Sequence, residues 1–470
     1  KLQVQCRRLQ NKYASQWLPF LTKKEAQASD FQRGFVKQFI GDLREFKQQV
    51  PALFACEPVG ELTLTPESLN RKHSRFFESP LLRQVHELNL SRQNLPSEVI
   101  EQLANCRTLS NLRRLNISGN DIHSASFECL SRSPVLEQVT HLNCAYNDAF
   151  EAGAIALANS PHLGKLRFLN LHSNLIGDTG LAALGHAAFA QHLLELDLGE
   201  SIKNAFFMKD AGMSHLANLK SFPQLRVLNL RENEIGNEGL AILASTNLPR
   251  LQKLNLSDNA INDEGFLALV NSPLFAQLET LSLGLNQLSE AGLLALARIV
   301  ETPKLRQLDL GSNDVNSVGV QALLTAPLCG QLVSLDLSEN LFDSEDLKVL
   351  AGKTYPHLRE LKLSSCTLGL PAIRALAKAN LPNLKRLSLA GNPLREPALC
   401  ALAKAPFAAH LKTLDLSDSL SQFSVKAAQA FVESPHFKRL TWLAVSEDIS
   451  PESWAILKKR FGKRVHPQSY

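Results

Sequence analysis

Leu166-Arg167-Phe168-Leu169-Asn170-Leu171-His172-Ser173-Asn174-Leu175-Ile176-Gly177-Asp178-Thr179-Gly180-Leu181 is the stretch on which the fold turns. Leu169 and Leu171 set the period of two that belongs to a short strand with one buried face. Asn174 and Ile176 follow, and then a helical run, Leu181-Ala182-Ala183-Leu184. The same frame, Leu-x-x-Leu-x-Leu-x-x-Asn-x-Ile, returns at Leu225, Leu228, Leu230, Asn233 and Ile235. It returns again at Leu305, Leu308, Leu310, Asn313 and Val315.

Following the second leucine outward gives Leu62, Leu88, Leu115, Leu142, Leu169, Leu196, Leu228, Leu254, Leu281, Leu308, Leu335, Leu361, Leu387, Leu414 and Leu443. The steps are 26 or 27 residues, except 32 between Leu196 and Leu228 and 29 at the last. Such a ladder predicts strand, turn, helix and return loop in each unit, with core buried only against neighbouring units. The asparagine recurs at Asn120, Asn147, Asn174, Asn233, Asn259, Asn286, Asn313, Asn340 and Asn392, where an amide both donates to and accepts from a turn's backbone. Gln93, Ser201, Cys366 and Ser419 stand there in other units, which predicts less firmly tied turns. Asp178, Asn237, Asp263, Ser317 and Ser344 are the expected helix N-caps. The glycines after several of them, Gly180, Gly239, Gly265, Gly292 and Gly319, suit close packing between coils. Helices should stop before Pro80, Pro134, Pro161, Pro273, Pro327, Pro406 and Pro435. Strands stack ~4.8 Å apart and helices ~8–10 Å apart, so the array should curve with strands inside. The fold class expected is an α/β, right-handed solenoid, a horseshoe with parallel strands on the concave face and helices on the convex face.

The run from Asn174 to Leu181 resembles ribonuclease-inhibitor-like leucine-rich repeats, over about residues 59–446. That resemblance implies a non-enzymatic protein that binds a macromolecule, possible inhibition by occlusion included. Residues 1–58 carry Gln5-Cys6-Arg7-Arg8-Leu9, Trp17-Leu18-Pro19-Phe20, Phe31-Gln32-Arg33-Gly34-Phe35-Val36 and Ala52-Leu53-Phe54. This order is similar to bacterial repeat-companion-domain leucine-rich-repeat proteins. Three regions are expected: a helical N-terminal cap over 1–58, a solenoid of about 15 strands over 59–446, and a capping helix and tail over 447–470. In the first, Phe35, Phe39, Leu43 and Phe46 read as one face of an amphipathic helix. In the last, Lys458, Lys459, Arg460, Lys463 and Arg464 read as a solvated basic end.

Composition fits this reading. The chain is 44% hydrophobic but only 6% aromatic, so aliphatic side chains fill its core. Fifty basic and 45 acidic residues leave a net charge of +5, too balanced to imply nucleic-acid or membrane attraction. Eight cysteines are scattered without a Cys-x-x-Cys pair, which favours buried free thiols in a reducing compartment. No apolar run approaches the ~20 residues of a membrane span, and the first residues lack signal-peptide character. A cytoplasmic monomer is expected. No phosphate loop, His-Glu-x-x-His or Gly-x-Ser-x-Gly occurs, so neither an enzyme nor a cofactor is expected. His141 and His172 are the one histidine pair of interest, and without a third ligand they read as surface residues, not metal ligands.

Strand parity places the residues before and after each core leucine on the open face. Between Leu142 and Leu228 these surfaces offer His141, Tyr146, Phe168, His172, Glu195, Asp197, Val227 and Arg231. Aromatic and arginine side chains dominate binding hot spots. The long step adds an insertion, Lys203-Asn204-Ala205-Phe206-Phe207, whose adjacent phenylalanines are hard to bury together. The function expected is a protein-interaction scaffold or regulator that grips one protein partner on the concave face. The alternative is a regulator of a GTPase, which would need an Asn or Arg on a rim loop to reach a phosphate.

Overall fold

The computed structural model describes residues 30–32, 35–41, 60–65, 69, 76–201, 207–217, 222–299, 303–417 and 423–468. Two compact units divide the chain: Lys1–Asn233 with Asn247–Arg250, and Glu234–Thr246 with Leu251–Tyr470.

In the first unit, parallel strands run in chain order from Phe35–Gly41 through Glu61–Leu64, Glu87–Asn89, Arg114–Asn116, His141–Asn143, Phe168–Asn170 and Glu195–Asp197 to Val227–Asn229. In the second, they run from Lys253–Asn255 to Val465–Gln468. The register follows the sequence ladder: Leu142 pairs with Leu169, Leu169 with Leu196, Leu281 with Leu308 and Leu387 with Leu414. Each ladder leucine is at most 3% exposed, worth roughly 2 kcal/mol of transfer free energy apiece. Between strands lie short helices such as Phe150–Ala158, Gly177–His186 and Glu290–Ala297, each with a buried face. Pro134, Pro273, Pro327 and Pro406 open a second short helical turn, where their missing N–H and fixed φ do no harm. Each unit is an α/β leucine-rich-repeat solenoid.

The asparagine ladder works as its chemistry requires. Asn147 Oδ1 accepts from the Asn120 and Ile122 N–H groups at 3.0 Å each. Its Nδ2 donates to Cys144 O at 2.8 Å and Ile117 O at 3.1 Å, so one side chain ties its own turn to the turn before. The turns expected to be loose are tied by other means. Gln93 Nε2 donates to Leu64 O at 2.9 Å, and Cys366 Sγ donates to Leu337 O at 3.3 Å. At the third, buried Glu200 replaces Ser201 in the role: its Oε2 accepts from Leu175 N at 2.9 Å and its Oε1 from Ser201 N at 3.0 Å. Ser419 lies outside the described residues.

The helix caps are shifted from their expected places. Asn262 caps the helix Asp263–Val270 and Asn316 caps Ser317–Thr325. Asp178, Asn237, Asp263 and Ser317 begin or follow the first helical residue instead, and Ser344 precedes only a 3-10 turn, Asp346–Leu350. All five reach forward to the next repeat: Ser317 Oγ donates to Asp346 Oδ2 at 2.7 Å, and the other four accept from backbone N–H groups. Asp263 Oδ1 accepts from Ser289 N and Gly292 N at 2.9 Å each. Asp178 accepts from Lys209 N, Asn237 from Asn262 N, and Ser344 from Gly369 N. A Cβ on Gly292 would lie 2.6 Å from Asp263 Oδ1, and one on Gly212 would lie 2.4 Å from Asp178 Oδ1. The glycine is there because the preceding repeat's cap passes over it.

The ends differ from the helical expectation. Phe35–Gly41 is a strand, not a helix; Phe39 is buried and pairs with Leu62. Its pairing partner fixes its form, since a spacing of four apolar residues fits a helix equally well in isolation. Leu43 and Phe46 lie outside the described residues. The helix Pro451–Phe461 forms near the other end, and a further strand, Val465–Gln468, pairs with Trp442–Ser446. Arg460 and Arg464 are not a free basic end. Arg464 donates to Leu440 O at 2.9 Å and Arg460 O at 3.0 Å, and Arg460 donates to Phe431 O at 2.8 Å.

Candidate functional site

In the first unit the residues just before the core leucines are Glu87, Arg114, His141, Phe168, Glu195 and Val227. Those just after are Asn89, Asn116, Asn143, Asn170, Asp197 and Asn229. Because alternate residues of a strand face opposite ways, both rows stand on the open side. Together they line a groove of about 360 Å³.

Its floor is aromatic. The imidazole of His141 stacks on Phe168 with centroids 3.9 Å apart and planes 14° from parallel. The Thr140 hydroxyl lies 2.9 Å from His141 Nδ1, and Arg114 Nη2 lies 3.4 Å from Nε2. Burial first, and the Arg114 charge second, lower the His141 pKa to about 4, so the ring is neutral at neutral pH. Arg114 in turn sits 3.7 Å from Glu87. Polar groups flank this floor. The Oδ1 atoms of Asn89, Asn116, Asn143 and Asn170 each accept from a backbone N–H two residues on, at 3.0, 3.1, 3.1 and 2.9 Å. Their oxygens are thereby fixed, and four side-chain NH₂ groups remain as donors for an incoming acceptor. Asp197 Oδ1 likewise accepts from the Gly199 N–H at 3.1 Å, and it also accepts from Asn229 Nδ2 at 2.8 Å.

The sequence-selected residues divide into three sets. His141, Phe168, Glu195, Asp197 and Val227 line the groove. Tyr146, His172 and Arg231 sit beyond it, where the chain leaves the strands. Tyr146 meets His172 edge to face at 5.1 Å, and His172 Nδ1 is 3.7 Å from Asp197. Arg231 Nε pairs with Glu232 at 2.7 Å. Tyr146 is 55% exposed and has φ of 56°. Gly119, Ser173, Glu232 and Asp258 take the same left-handed turn at equivalent places, so the turn is general and the exposed aromatic is particular to this repeat. In the third set, Phe207 is half-buried, whereas Phe206 lies outside the described residues. Met208 is buried and its N–H donates to Asn233 Oδ1 at 3.2 Å, so the regular repeat resumes there.

Arg114, Glu87, Asn143 and Asn170 also line the groove, and selection by aromatic content passed over them. Strand parity alone points to all four. His141 and His172 take different neighbours, and among the described residues no cluster of three or more His, Cys, Asp or Glu could hold a metal ion. Cys144 is fully buried beneath the groove, and burial raises its thiol pKa. No described helix is long and apolar enough to cross a membrane.

The Leucine Rich repeat family matches at residues 108–131, 162–185, 223–244, 248–270, 303–324 and 356–377. The chain is built of leucine-rich repeats. No curated protein matches its sequence. Among solved structures, this leucine-rich-repeat chain is similar to an internalin from Listeria monocytogenes, at 20% identity and TM-score 0.39 over 81% of this chain and 86% of that one. It is similar to a chain of the yeast Rad7 and Elc1 complex, at 18% identity and TM-score 0.45 over 76% and 86%. A chain of the LRIM1/APL1C complex matches at 15% identity and TM-score 0.38 over 94% and 68%.

Proposed function

We propose that the first unit's strand face binds a protein partner, with Phe168 as the anchor. One observation carries this reading: an aromatic stack lies in the floor of a groove ringed by charges and by amide donors. Leucine-rich repeats generally present such surfaces to protein partners. A partner's apolar side chain entering here removes Phe168 and Val227 from water, while its backbone carbonyls meet the asparagine NH₂ groups. Glu87, Arg114 and Glu195 border the stack and would select partners by charge. Occlusion of the partner's own surface is the inhibitory outcome this geometry permits. A GTPase-regulating role is less favoured, since Arg231, the arginine beyond the groove's edge, is already held by Glu232.

The test is affinity capture from the source organism with wild-type chain, Phe168→Ala/Val227→Ala and Phe207→Ala, followed by affinity measurement on the recovered partner. Truncating an anchor should weaken binding by ~2 kcal/mol or more, about thirtyfold. Phe207→Ala should bind like wild type. Unchanged affinity of the groove variant ends this proposal.

A further inference from the structure

A second cavity, of about 450 Å³, lies wholly in the second unit, and its chemistry is unlike the first. Arg359, Lys385 and Lys412 each stand two residues before a core leucine, in three successive repeats. Backbone hydrogen bonds lock that register. Lys385 N donates to Arg359 O, and Lys412 N to Lys385 O, at 2.8 Å each. The three cationic residues therefore follow one another with a backbone step of ~4.8 Å, the spacing of paired strands.

Among the described residues, Glu360 supplies the one carboxylate that lines this cavity, and Arg386 holds it at 2.6 Å. The nearby Asp336 is likewise held by Lys362 at 3.0 Å. Arg359, Lys385 and Lys412 have no side-chain partner among the described residues. Like charges this close repel, so the row gains from an anionic occupant.

We propose that this row is a binding site for an acidic α-helix of a protein partner, laid across the strands. Helix geometry supports the choice. Carboxylates at i, i+4 and i+7 recur about once per ~5.4 Å turn, close to the cation step. An extended segment shows its same-face side chains ~6.8 Å apart and falls out of step after one pair. A compact phosphate would reach one or two cations and leave the rest. Single-stranded nucleic acid is disfavoured because no aromatic ring lines the cavity to stack a base. The hydroxyls of Ser334 and Thr413 lie in the lining and supply neutral donors between the charges. This site is independent of the Phe168 groove and stands or falls without it.

Fluorescence anisotropy on the full chain tests the assignment, using labelled Ala-rich helical peptides of ~20 residues. One peptide carries glutamates along one face; a second has the same composition with glutamates spread round the helix. A third probe is a single-stranded oligonucleotide of equal charge. The one-face peptide should bind most tightly, with an affinity that falls as salt is raised. Arg359→Gln/Lys385→Gln/Lys412→Gln should weaken it about tenfold or more, and each single change about two- to fivefold. Phe168→Ala should leave this binding unchanged, which separates the two sites. Arg359 and Lys412 are exposed and Lys385 is half-buried, and circular dichroism verifies that the variants fold. Equal binding of the two peptides, tighter binding of the oligonucleotide, no binding of either peptide, or an unaffected triple variant each overturns the proposal.

Discussion

His141 and Phe168 face each other across adjacent strands, ring on ring at 3.9 Å. This contact makes the histidine a reporter of the groove. Its pKa is lowered from 6.5 to about 4, chiefly by burial and then by Arg114. The folded state therefore takes up the proton later than the unfolded chain. Stability from this group is intact above about 6.5, and it declines as pH falls toward about 4. Imidazole proton shifts followed by NMR should titrate with a midpoint near 4 in the wild type. Phe168→Ala should move the midpoint up toward 6.5, because it opens the ring to water. Arg114→Gln should move it up by less. A midpoint near 6.5 in the unaltered chain would remove the stacked, neutral histidine from the site.

Asp263 reaches across to the following helix, accepting from two of its N-terminal N–H groups and from the Ser289 hydroxyl. Those N–H groups have no partner within their own helix, so losing the carboxylate leaves them exposed to a poorer substitute. Asp263→Ala should cost ~1–2 kcal/mol in urea unfolding, the range of a lost N-cap. Gly292→Ala should also destabilise, since its Cβ would lie 2.6 Å from Asp263 Oδ1. The two effects should not add. Removing Asp263 opens part of the room that the new methyl needs, although Phe266 Cδ1 stays 3.0 Å away. Strict additivity in the double variant counts against the forward cap as the reason for the glycine.

How far the sequence carried the fold depends on where each element's identity is decided. The leucine ladder was legible because its period is imposed by the unit's own geometry, and the Leu169–Leu196 register followed at once. The Phe35–Gly41 strand was not, because its form depends on an edge contributed by Glu61–Leu64. Glu200 was passed over for Ser201 because its longer side chain, one residue early, reaches the preceding turn at Leu175 N and its own turn at Ser201 N. The caps were misplaced by one or two residues, and only geometry separates Asn262, which caps its own helix, from Asp263, which caps the next. For the groove, parity gave the right face. Which of its members converge was decided by side-chain reach: His141 turns to Phe168, while His172 turns to Tyr146.

Asn147 and Cys366 hold equivalent posts in different repeats, and exchanging them tests what the ladder contributes. Asn147 supplies an acceptor to two N–H groups and a two-proton donor to carbonyls in two turns. Cys366 offers weaker sulfur contacts, at 3.3 Å to Leu337 O and 3.2 Å to Ser364 O. Asn147→Cys strips strong partners from buried backbone groups, at ~1–3 kcal/mol for each group left unsatisfied. Cys366→Asn restores the repeat's own residue and should stabilise by ~0.5–2 kcal/mol, as repeat-consistent substitutions do. The neighbouring turn is already prepared for it, since Asn392 Oδ1 accepts from Cys366 N at 3.0 Å and Leu368 N at 2.9 Å. Cys366→Ser is the control for loss of the thiol, because serine is short and cannot bridge two turns. Urea midpoints should fall in the order Cys366→Asn, wild type, Asn147→Cys. If Cys366→Asn instead loses stability to a similar degree as Asn147→Cys, local packing governs these turns and the amide ladder does not.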